Sequence, residues 1–308
     1  MEIISRINQS KQKFHNIGYV LALASAVLAS LMHVVPKELL DNGMNNVSPI
    51  TLAFVIYIVN GLFFTSVSKK STPISKITKK NWLFLSLIGI AEVLGLITYF
   101  FGLKDSSAAN AAVLNSSEII FSIFIAMIIL KERLQKKEMG PFTLIILGVI
   151  ILPIGYDMYN TGFMFSNMVT GDFLILLSGV FFAADINISK YVSDRIDSKR
   201  ITQITSFVSG LVALGIMFTL DIPFDISFTH IPGILLSGLL GTGIATFFFV
   251  LSLKFIGSVR TTLLYSTGTA FGVMFSWAIL GEVISIINIL TVIMIISGIF
   301  FLRKRISS

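Results

Sequence analysis

The chain has no cysteine, two tryptophans, seven prolines and three histidines among its 308 residues. Without cysteine there can be no disulfide, no thiolate nucleophile and no Cys-ligated metal. His15, His33 and His230 lie too far apart to form a ligand-spaced pair, so neither a metal nor another cofactor is expected. Charge is also scarce. Only 13% of residues are charged, where a soluble domain carries about 25%. No GxxxxGK[ST], HExxH or GxSxG occurs, which removes the signatures of an ATP-driven pump, a zinc protease and a serine hydrolase.

Hydrocarbon takes the place of charge. Hydrophobic residues make up 55% of the chain, 27 of its residues are phenylalanine, and the mean hydropathy is +0.89. A bilayer core of about 30 Å needs roughly 20 apolar residues per helix. Ten such runs stand near 17–35, 48–68, 82–103, 107–130, 138–155, 171–191, 201–220, 232–253, 258–280 and 283–302. The fold class expected is therefore an all-α integral membrane protein of ten transmembrane helices. The first run follows a basic leader, but it is too long for a cleaved secretory signal and lacks a small-residue cleavage site, so it is expected to remain.

Basic residues set the orientation. With the N-terminus inside, 21 of the 23 lysines and arginines fall in inside segments, and only Lys37 and Lys104 fall outside. A multi-pass cell-membrane protein with both termini cytoplasmic is expected. The net charge of +7 follows from that topology, and no single basic patch points to nucleic acid.

The chain repeats itself. A gapless shift of 150 places Leu103 and Lys104 on Leu253 and Lys254, Leu114, Ser116 and Phe121 on Leu264, Ser266 and Phe271, and Gly148 on Gly298. The same shift places Leu130 and Glu132 on Leu280 and Glu282. A shift of 153 aligns Gly18, Ser25, Val27 and Lys37 with Gly171, Ser178, Val180 and Lys190. Five helices per half is an odd number, so the second half enters the membrane from the opposite side. That is an inverted repeat, with a site expected near mid-membrane between the halves.

These features resemble the drug/metabolite transporter superfamily in its EamA-type branch. An Ala/Ser-rich helix start, SSAANAAVLNSSE, precedes an apolar run that closes on Leu-x-Glu, as LKERL and again as LGEVI. The resemblance covers the whole chain, with units at 18–153 and 171–302. It implies a secondary transporter of small metabolites, often an exporter. In such proteins a proline often follows the position of Glu118. Here Ile119 stands at that place, and Thr269 at its repeat partner under the 150 shift.

Polar residues inside the spans carry the candidate site. Glu132 and Glu282 end their apolar runs, where each is expected to meet unsatisfied N–H groups at the start of the next helix. Glu118 instead falls mid-span, where insertion of an acid costs roughly 2.5–3.5 kcal/mol, so it must face protein or water. Ala111, Asn115, Glu118 and Ser122 recur at helical spacing on one face. The matching stripe in the ninth span is Thr261, Tyr265, Gly268 and Gly272. Glu92 shares a face with Gly95 and Tyr99, and Asp185 with Ser178, Phe182 and Ser189. The candidate substrate or coupling residues are thus Glu118, Asn115, Glu92, Asp185, Tyr99 and Tyr265. Asn60 and Asn187 read as packing hydrogen bonds, His33 as an interface histidine, and Gly268 with Gly272 as a close helix approach.

The functional expectation is alternating access for a small-molecule substrate. Acids without basic partners disfavour phosphorylated solutes, which need Lys or Arg, and suit amines, amino acids or organic cations. Glutamates can also carry protons. An intramembrane enzyme built on paired acids, or a receptor or lipid-handling protein that does not transport, stays open at this stage.

Overall fold

The computed structural model describes residues 2–41, 46–67, 71–129, 136–161 and 170–306. The whole LKERL motif, with its Glu132, lies outside these residues. The first span is α1 (Glu2–Ala29) and α2 (Leu31–Asp41), joined at Ser30, and the second is α3 (Pro49–Val67). The third is α4 (Lys79–Asp105), and the fourth divides into α5 (Ala108–Leu114) and α6 (Ser117–Ile129). The fifth to seventh are α7 (Lys136–Thr161), α8 (Thr170–Ser193) and α9 (Ser198–Thr219). The eighth runs through α10 (Ile231–Leu235), a π-helical stretch Leu236–Ile244 and α11 (Ala245–Ile256). The ninth divides into α12 (Ser258–Tyr265) and α13 (Gly268–Leu280), and the tenth is α14 (Ile286–Ile306).

Among the described residues, eight helical segments are long and apolar enough to cross a bilayer, and the shorter apolar helices Met139–Leu152 and Ile286–Phe301 supply the fifth and tenth spans. The ten-span, two-half architecture expected from the sequence is the one observed. Packing obeys an exchange of the halves. The third span packs on the sixth and the first on the eighth, while the second meets the seventh and the fifth meets the tenth.

Glycines make the two-fold relation concrete. A Cβ on Gly148 would meet Ile295 at 2.8 Å and the carbonyl of Thr291 at 3.3 Å. A Cβ on Gly298 would meet Ile145 at 2.6 Å and the carbonyl of Pro141 at 2.8 Å. Each partner is displaced by 150 from its counterpart, so one contact occurs twice, as at an isologous interface. The α4–α8 crossing behaves alike. Gly102 and Gly171 there bring backbone against backbone, and at the equivalent crossing the Ser252 hydroxyl donates to the Gly18 carbonyl at 2.9 Å.

The fourth and ninth spans both break, although neither has a proline at the break. Backbone bonds tighten to i−3 at Ser116→Val113 and Glu118→Asn115, and again at Thr267→Leu264 and Thr269→Ser266. Asn115, Ser116 and Ser117 are weak helix formers at the first break, and Ser116 turns its hydroxyl across to Thr269. The matched bonds differ by 151 positions, which corrects the gapless shift of 150 at this place. The cause is one extra residue in α12, which spans eight residues against seven in α5. Thr269 therefore occupies the place of Glu118, and Ala270 that of Ile119. The two breaks touch, with Ser116 Oγ and Thr269 Oγ1 2.6 Å apart.

Candidate functional site

The breaks open a cavity of about 120 Å³ between the halves. All six candidate residues, Glu118, Asn115, Glu92, Asp185, Tyr99 and Tyr265, line it. Its walls pair across the pseudo-two-fold. Shifts of 150 and 153 relate Glu92 to Thr242, Tyr99 to Phe249, Met32 to Asp185 and His33 to Ile186, and every one of these is a lining residue. The cavity lies on the axis that exchanges the halves.

The three acids are held differently. Glu92, on α4, is 7% exposed and accepts a 3.2 Å bond from Ser209 of α9. Asp185, on α8, accepts a 2.7 Å bond from Ser189 one turn away. Glu118 is 5% exposed, and among the described residues its carboxylate has no hydrogen-bond partner. Asn115 bonds Glu118 only through the backbone. Asp185 is close enough for its charge to act on both glutamates. Among the described residues no lysine or arginine lines the cavity. Buried charge without a counter-charge is costly, so these acids call for protons or a cation. Tyr57, Tyr99, Phe182, Phe249 and Tyr265 supply aromatic rings around them, and ring faces attract cations.

Three features escaped the sequence reading. His33 is not an interface residue. It is buried, lines the cavity, and its Nδ1 lies 2.5 Å from the Tyr99 hydroxyl. Its only sequence signal was a lone ionisable group on an otherwise apolar span. The π-helical stretch presents Gly241 and Thr242 to the cavity, with the Ala245 N–H bonding back to the Leu240 carbonyl. Gly238, Gly241 and Gly243, clustered mid-span, were the available sign, since glycine weakens α-helix and such wide turns gather at functional sites. Asn60 makes no packing hydrogen bond. Both its amide atoms are buried without a partner, facing Gly243, where a Cβ would fall on Oδ1.

Other expectations are met by geometry. Asn187 bonds Ser122 Oγ at 3.0 Å and ties α8 to α6. A Cβ at Gly268 would press on the Ala26 carbonyl at 3.1 Å, and one at Gly272 on Ala112 and His33, so this pair lets the ninth span approach closely. Glu282 does cap a helix, but not the next one. Gly281 turns the chain in the left-handed region at φ 67°. The Glu282 carboxylate then accepts from Ala108 and Ala109 N–H at 2.8 and 2.9 Å. It thereby closes the start of α5 in the other half, where the helix dipole favours negative charge.

Two inverted helical halves around an axial, acid-lined cavity have the form of a secondary membrane transporter. The EamA-like transporter family matches residues 16–153 and again 169–304. The chain belongs to that family, within the drug/metabolite transporter superfamily, and is a multi-pass membrane transporter. An uncharacterized transporter of Methanothermobacter thermautotrophicus is 26% identical over 299 residues, covering 92% of this chain and 85% of its own. One from Archaeoglobus fulgidus is 23% identical over 298 residues, covering 96% and 88%. A solved crystal structure shares the fold with a TM-score of 0.69 at 14% identity, covering 94% of this chain and 99% of its own.

Proposed function

We propose that this transporter exports a small organic cation or amine across the cell membrane in exchange for protons. The halves, residues 18–153 and 171–302, rock about the axial cavity to expose it to either side. The observation that carries this reading is one cavity holding Glu92, Glu118 and Asp185 with aromatic walls and, among the described residues, no lysine or arginine in its lining. A proton and a cation compete for the same carboxylates, which couples their movements. Phosphorylated solutes are disfavoured, and so is an amino acid, whose carboxylate would find no lysine or arginine.

The test is uptake of radiolabelled choline and tyramine by proteoliposomes made acidic inside, against protein-free vesicles. Gradient-dependent, saturable accumulation of either is expected, with phosphocholine excluded. Accumulation of serine but of neither cation would sink the cation reading while leaving transport intact.

The basic residues further support cytoplasmic termini and a cytoplasmic 69–80 loop. Because the chain is cysteine-free, Ser71→Cys and Ser227→Cys each create a unique label site. In intact cells an impermeant maleimide is expected to label only the second. Labelling of the first alone would invert the topology.

A further inference from the structure

We propose that His33, held by Tyr99, is the group through which protons reach Glu118 from the end of the bundle where Glu282 lies. This rests on reading Glu118 as the proton-carrying acid. His33 and Glu118 line the central cavity together, and both also line a smaller chamber beside it. That chamber offers about 20 Å³, above the roughly 10–15 Å³ that one water requires. Hydroxyl-bearing Ser30, Ser116, Ser266 and Thr269 form part of its wall, so a water there has partners. The Ser116–Thr269 bond between the two helix breaks fixes its shape.

The position suits a relay. Tyr99 follows Glu92 by seven residues on α4, about 10 Å at 1.5 Å per residue. The displacement is toward the end of the bundle where Glu282 caps α5. His33 and Tyr99 thus form a layer between the acids and that end. The ring is confined, since a Cβ at Gly272 would meet its Cδ2 at 2.7 Å. Titratable groups facing it are Tyr99 from α4 and, across the two chambers, Tyr57, Glu92, Glu118, Asp185 and Tyr265. Among the described residues neither chamber has a lysine or arginine in its wall.

The proton bookkeeping closes. Tyr99 donates its hydroxyl proton to Nδ1 as it takes another from water entering at the Glu282 end, and the imidazole becomes imidazolium. The Nε2 proton passes to the chamber water, which hands a proton to the Glu118 carboxylate. His33 ends neutral in the other tautomer, Glu118 ends protonated, and one proton has moved inward. An imidazole is suited to this because one ring nitrogen can accept a proton while the other donates one.

The test needs no transported solute. In membrane-reconstituted protein, infrared difference spectra after a pH jump report the protonated-carboxyl stretch of Glu118, assigned as the band missing from Glu118→Gln. Its relaxation is expected to slow at least about tenfold in His33→Gln and in Tyr99→Phe, with the final amplitude unchanged. Tyr99→Phe keeps the ring, so it carries the test should His33→Gln fail to fold. Wild-type rates in either folded variant, a loss of amplitude without slowing, or a Glu118 band that never responds to pH would each overturn the relay. Failure of choline and tyramine uptake would overturn the cation-export reading and leave this result standing.

Discussion

Glu118→Gln is expected to yield a folded protein whose choline or tyramine flux no longer responds to a proton gradient. Glutamine keeps the size and polarity of the side chain and removes both its charge and its titration. Glu118 has no hydrogen-bond partner among the described residues, so little local structure depends on its ionisation. Contacts to a charged group are worth about 1.5–3 kcal/mol, which converts to roughly ten- to a hundredfold in binding. Gradient-driven flux should fall by at least that factor, and thermal stability should stay near wild type. The same change at Glu92 should cost less flux, because Ser209 already engages that carboxylate. Uptake by Glu118→Gln with the wild-type pH profile would make the acid a structural group.

The second large effect concerns assembly. Gly102→Val should abolish monodisperse protein in detergent. A Cβ at Gly102 would fall 2.5 Å from the Gly171 carbonyl and 2.9 Å from the Ile175 backbone nitrogen. Backbone cannot rotate aside as a side chain can, so the cost exceeds the ~1–3 kcal/mol of ordinary overpacking. The α4–α8 crossing is the most extensive helix pair in the bundle, and the cavity acids Glu92 and Asp185 hang from it. Gly140→Ala is the control, since nothing lies within 4 Å of a Cβ there. It should be neutral or slightly stabilising. A monodisperse Gly102→Val of wild-type melting temperature would refute the crossing.

The bundle was legible from the sequence because hydrophobic length is a strong physical constraint in a membrane. The polar face of Asn115, Glu118 and Ser122 was legible for a related reason, since an acid in mid-span has to face protein or water. Features that depend on partners distant in sequence were not. His33 gains its place only when α4 brings Tyr99 to it, and Glu282 reaches the other half only after the turn at Gly281. The one-residue register slip at the ninth span leaves no hydrophobic trace, because Gly268, Thr269 and Ala270 are all small. The π-helical stretch reads as an ordinary apolar run until Met32, Ile56 and Asn60 are seen against its glycines.

The pairing of cavity walls across the axis has a thermodynamic consequence. A carrier whose halves were identical would spend equal time open to each side, because exchanging the conformations of the halves turns one state into the other. Any resting preference must come from positions where the halves differ. At the cavity these include Glu92 against Thr242, Tyr99 against Phe249, Leu96 against Thr246, Glu118 against Thr269, Asp185 against Met32 and His33 against Ile186. Of the ionisable groups in these pairs, Glu92, Tyr99, Glu118 and His33 belong to the first half and Asp185 to the second. Under the proposed alternating-access cycle, these mismatched side chains are where the cavity itself can favour one side over the other.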